Sequence, residues 1–145
     1  MTESEGDRSS LLPILVAAGV VAIVLITISA LRWVQRDEIA DEAAMGRAVI
    51  GQNDALQRED YPAFLCFTCA ELGGSEAQVL GAQRQSVTDK GARFVDDMTG
   101  IAVTDNRATA NVVYHFERSP DDKISTPADF VKENGEWKVC SLGPR

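Results

Sequence analysis

Phe94–Leu142 reads FVDDMTGIAVTDNRATANVVYHFERSPDDKISTPADFVKENGEWKVCSL, and its period of two decides the fold. Successive side chains of a strand point to opposite faces, so alternation marks a sheet with one buried side. Ala108, Ala110, Val112, Tyr114 and Phe116 fall on one face, and Arg107, Thr109, Asn111, Val113 and His115 on the other. Four strands are expected at Phe94–Val103, Ala108–Phe116, Ile124–Val131 and Trp137–Leu142. Turn signals separate them at Asp105–Asn106, at Ser119–Pro120–Asp121–Asp122 and at Asn134–Gly135. The last predicts a tight type I′ hairpin, which needs positive φ at both central residues.

Upstream, the period becomes helical. Ser75 and Gln78 have the spacing of a capping box and open a helix that ends near Lys90–Gly91. Before it, Asp60 caps a short helix with Pro62 in its first turn, expected to run to Gly73–Gly74. A further helix is expected over Asp37–Asp60, with Ile39, Ala43, Met45, Val49, Ile50 and Leu56 as its core-facing stripe, interrupted by Glu42. Three helices followed by a four-stranded antiparallel meander make an α+β domain, with helices on one face of a curved sheet.

Residues 1–10 read as a short polar tail, residues 11–34 as a transmembrane helix and residues 37–142 as the α+β domain. No charge occurs from Ser9 to Leu31, and the 24 residues LLPILVAAGVVAIVLITISALRWV (Leu11–Val34) extend about 36 Å as a helix, enough for a bilayer core of ~30 Å. Arg32, Trp33 and Arg36 supply an interfacial anchor. A cleaved export signal fits less well. The leader is acidic, the apolar run is long, and Ile28 is bulky at the -3 position of the best cleavage site, after Ala30.

The formal charge of -8 is concentrated in the folded part, where 12 basic face 19 acidic residues after Val34. That balance disfavours nucleic acid and adsorption to anionic lipid by charge. Membrane contact is expected through the apolar helix alone. The three cysteines, Cys66 and Cys69 on the expected second helix and Cys140 in the last strand, are spaced like a disulfide formed in an oxidising compartment. A single-pass protein of the cell membrane is therefore expected, with its N-terminus cytoplasmic and its domain outside.

The anchor, the Phe67-Thr68-Cys69 end of a helix, the strand pair VTDNRATANVVY (Val103–Tyr114) and the hairpin FVKENGEWKVC (Phe130–Cys140) together resemble a known group. The chain is similar to the small Mce-associated membrane proteins and secreted low-molecular-weight antigens of mycobacteria and their relatives. These belong to the cone-shaped nuclear-transport-factor-2-like superfamily. The resemblance covers roughly residues 37–142. It implies a disulfide between Cys69 and Cys140, and a non-catalytic accessory role in an actinobacterial envelope complex such as Mce-type lipid import. Cys69 shares a helical face with Leu65 and Leu72, while Cys66, one turn back, remains an alternative partner for Cys140. Alternation counts against either bond, because it puts Cys140 on the face opposite Trp137 and Val139.

Other chemistry reads weakly. Cys66-Phe67-Thr68-Cys69 is formally a C-x-x-C, but it lacks the preceding strand and helix N-terminus that depress a thiol pKa. Zinc binding by the three cysteines and His115 lacks convergent spacing. His115 falls on the solvent side, and Asp96–Asp97, Glu117 and Asp121–Asp122 read as solvated strand ends and a turn. No nucleophile elbow, phosphate loop or HExxH occurs. No catalytic residue, metal or cofactor is expected, and the expected partner is an integral-membrane complex. The alternative is a binding module for a lipid or small apolar ligand, with Phe94, Tyr114, Phe116, Phe130 and Trp137 lining a cone pocket.

Overall fold

A computed structural model describes residues 11–72 and 74–145, so the polar tail expected at 1–10 and the Gly73 of the expected helix stop lie outside the described residues. The first element, α1, covers Leu11–Gln57. The apolar segment and the helix expected at Asp37–Asp60 are thus one helical element. The chain nevertheless divides between Ile39 and Ala40 into two compact units.

In the first unit the large apolar side chains are exposed, Ile26 by 67%. The helix is long and apolar enough to cross a membrane, with mean hydropathy 2.1 over its most apolar window. Its hydroxyls need no water. Thr27 donates to the carbonyl of Ile23 at 3.0 Å, and Ser29 to that of Leu25 at 2.8 Å. Backbone and hydroxyl groups satisfied within the helix are what a hydrocarbon environment demands.

In the second unit, the rest of α1 is followed by α2 (Tyr61–Phe67), α3 (Glu76–Lys90) and an antiparallel sheet in the order β1-β2-β3-β4. Its strands are β1 (Arg93–Thr104), β2 (Arg107–Phe116), β3 (Ser119–Glu133) and β4 (Glu136–Val139). The α+β layout is the expected one. Ser75 and Gln78 form the capping box, and the β3–β4 turn has φ of 52° at Asn134 and 84° at Gly135, as a type I′ hairpin requires. The inward face of β2 packs with Ala128, Phe130, Trp137 and Val139 against Met45, Ala48 and Val49 of α1. A second cluster joins Ala55, Leu56, Phe64, Val79 and Leu80.

The last strand ends at Val139 rather than at the expected Leu142, and three further readings differ from expectation. The buried stripe of α1 is Met45, Ala48, Val49, Gln52, Ala55 and Leu56, while Ile39, Ala43 and Ile50 are exposed. The face turns toward smaller side chains because the sheet and α2 approach closely. At Gly51 a Cβ would lie 2.6 Å from the Phe67 ring, so only glycine admits that contact. The β2–β3 turn falls at Glu117–Arg118, and Pro120–Lys123 bulge within β3 between the pairs Phe116–Ser119 and Tyr114–Ile124. Finally, α2 stops at Phe67 rather than at the glycines, because Thr68 turns extended (φ -108°, ψ 137°).

Candidate functional site

That early stop positions the cysteines. Thr68 forms a parallel bridge with Val139, and the Cys69 N–H donates to the Val139 carbonyl at 3.0 Å. Cys69 therefore approaches β4 from its edge. It need not reach through the sheet, so the alternation of Trp137, Val139 and Cys140 is no obstacle. The disulfide joins Cys69 to Cys140 with Cα atoms 5.3 Å apart, across a sequence separation of 71. Cys140 stays hydrogen-bonded to the Asp129 carbonyl at 2.7 Å although β4 has ended. Cys66 is a free, exposed thiol.

Beside this edge runs an open groove of about 590 Å³, lined by Asp41, Arg47, Cys66, Phe67, Trp137 and Lys138 among others. Its polar centre is Asp41, which accepts from the Trp137 indole at 2.8 Å and from Lys132 Nζ at 2.9 Å. The Lys132 ammonium also lies 5.3 Å from the indole centroid, within cation–π range. The indole hydrogen bond, then that of Lys132, holds the Asp41 carboxyl below its usual value. A depressed folded-state pKa contributes stability that is complete above the unfolded value and is lost as pH falls through the folded one. Asp41→Asn should therefore flatten the loss of stability below about pH 4, read by chemical denaturation at several pH values. An unchanged pH dependence would remove Asp41 from this role.

Of the five aromatic residues expected to line a cone pocket, Tyr114, Phe116, Phe130 and Trp137 are buried on the inward side of the sheet. Phe94 does not join them. It pairs with His115 across β1 and β2 and stacks on that imidazole with centroids 4.9 Å apart, on the outer face, 46% exposed. There His115 Nδ1 meets Asp96 at 2.8 Å, and Lys123 Nζ donates to the same carboxylate at 2.9 Å. Hydrogen bonding from His115 and then Lys123 holds the Asp96 carboxyl below its usual pKa. Sequence alone did not join these three. A bulge between Val95 and Asp97 re-aims Asp96, and the register of β3 opposite His115 is irregular too. Among the described residues, no group of three His, Cys, Asp or Glu side chains is placed to hold a metal ion.

A third polar cluster closes the end of the domain around Arg93, the first residue of β1. Arg93 Nε donates to Asn53 Oδ1 at 2.8 Å, and Nη1 donates to the carbonyls of Leu142 at 3.0 Å and Pro144 at 2.6 Å. The guanidinium lies 5.2 Å from the Tyr114 centroid. Burial pushes the Arg93 pKa down and that of Tyr114 up.

The fold and these features define an α+β domain with a curved four-stranded antiparallel sheet, a disulfide and an apolar N-terminal helix. No protein-family model matches the sequence, and no curated protein matches it. Solved structures do. A Nostoc punctiforme protein of unknown function with a cystatin-like fold is 13% identical, over 70% of this chain and 86% of that one, at a TM-score of 0.49. An NTF-2-like protein of unknown function from Silicibacter pomeroyi is 14% identical, over 73% and 92%, also at 0.49. Another NTF-2-like protein of unknown function, from Shewanella oneidensis, is 12% identical, over 68% and 93%, at 0.44.

Proposed function

We propose that this chain is a membrane-anchored, non-catalytic accessory subunit of a cell-envelope membrane complex, of the Mce-associated kind in actinobacteria. The observation that carries the reading is the exposed apolar stretch of α1, which is suited to lipid or to another membrane helix. Ala18 and Ala22, four residues apart, form a small-residue face that permits close packing there. In this reading the N-terminus is cytoplasmic and the domain extracytoplasmic, in keeping with the Cys69–Cys140 disulfide. Purification in mild detergent should bring down a stoichiometric protein partner. Exchanging Leu11–Leu31 for an unrelated apolar segment should abolish that association and leave the domain folded. Co-purification undiminished by the exchange would reduce the helix to a tether, and the absence of any protein partner would sink the reading.

A second reading, an extracytoplasmic binding module for a lipid or small apolar ligand, is favoured by one observation. The open groove of about 590 Å³ beside β4 is walled in part by the apolar Ala44, Ala48, Phe67 and Trp137.

A further inference from the structure

Gln83 of α3 is only 8% exposed, and among the described residues its amide nitrogen has no hydrogen-bond partner. An unpaired buried donor is costly, so such groups are uncommon without a reason. Gln83 lines a small cavity together with Leu56, Val79, Arg93, Leu142 and Arg145. Arg93 is 5% exposed, and its acceptors are an amide oxygen and two backbone carbonyls. Among the described residues, no carboxylate pairs with it. A buried cation normally has an anionic partner, because neutral acceptors offset its desolvation incompletely.

The residues after the disulfide occupy the place where such a partner would sit. The Leu142 and Pro144 carbonyls converge on one guanidinium nitrogen, while Leu142 packs against the apolar cluster of Leu56 and Val79. Between them Gly143 has φ of 68°, and a Cβ there would lie 3.1 Å from both Arg93 Nη1 and the Tyr114 hydroxyl. Only glycine lets the chain run this close. The space left over is about 10 Å³, room for roughly one water.

We infer that the Arg93–Gln83 cavity is a binding site for a small alkyl carboxylate and that residues 141–145 are a displaceable plug occupying it. The inference rests on the ligand-binding reading above. The two tail carbonyls stand in for the carboxylate oxygens, and the Leu142 side chain stands in for the alkyl group. A carboxylate brings the missing negative charge, accepts from the planar guanidinium and takes the idle Gln83 donors. Its chain replaces Leu142 between Leu56 and Val79. A phosphate would press polar oxygens against these leucine and valine walls.

The test titrates full-length protein in nanodiscs with hexanoate, using hexanamide as the neutral control. Binding is read by calorimetry and by the side-chain amide resonance of Gln83. Hexanoate should bind saturably and hexanamide at least tenfold more weakly. Gln83→Leu keeps a similar volume and leaves the Arg93 bonds to Leu142 and Pro144 but removes the donors, so it should weaken hexanoate about tenfold with no loss of thermal stability. Leu142→Ala loosens the plug and should tighten hexanoate several-fold. Equal binding of hexanamide, or undiminished binding by Gln83→Leu, overturns the assignment. So does the absence of binding in both the wild type and Leu142→Ala, the result expected if one buried water serves Gln83. Lipid that co-elutes with a protein indifferent to hexanoate also overturns this cavity, while leaving the ligand-binding reading in place.

Discussion

Cys140→Ser lowers the thermal midpoint of the domain by on the order of 10–25 °C. The bond closes a loop of 71 residues, and constraint of that size in the unfolded chain corresponds to roughly 2–4 kcal/mol. In a domain of this length each kcal/mol moves the midpoint by about 4–8 °C. The comparison is wild type against Cys140→Ser, both exported natively. Cys66→Ser is the control, since that thiol is free and exposed and its loss should move the midpoint little. Non-reducing peptide mapping completes the experiment. Three free thiols in the exported wild type would refute the bond and the extracytoplasmic placement together. A Cys66–Cys140 peptide would correct the partner.

The second large effect is expected at Phe130, which is 1% exposed within the main core. Phe130→Ala removes its ring from packing against α1 and β2 and should cost roughly 3–5 kcal/mol by urea denaturation. Phe94→Ala should cost less than about 1 kcal/mol, because that ring lies on the outer face and stacks only partly covered on His115. Comparable losses at the two positions would mean that the inner and outer faces of the sheet are assigned wrongly.

The sheet was legible because alternation and turn chemistry agree at each step. Asn134–Gly135 needs a left-handed pair, and Ala108–Phe116 alternates without a break. The errors arise where tertiary contact outweighs local signal. Two glycines at 73–74 look like a helix stop, yet Thr68 leaves the helix earlier to pair with Val139, a bridge that no local pattern announces. Ile39 and Ile50 look like core, yet smaller Ala48 and Ala55 take the buried side of α1. The Arg93 cluster was the least visible, since it draws on α1, α3, β1 and the residues after β4. One hint existed. Alternation from Val95 places Arg93 on the inward face, an unusual address for a cation.

The segment that turns extended at Thr68 has a consequence for solubility. In the order β1-β2-β3-β4, β4 is an outer strand, with unpaired backbone groups that can template another chain. Thr68–Cys69 covers its far end, and the disulfide holds that cover in place. The uncovered remainder, Glu136–Lys138, is three residues long and carries two charges. Reduction should therefore do more than loosen the domain: it leaves only the Thr68–Val139 bridge and the Cys69 N–H bond to hold the cover over an edge on which copies of the protein can assemble.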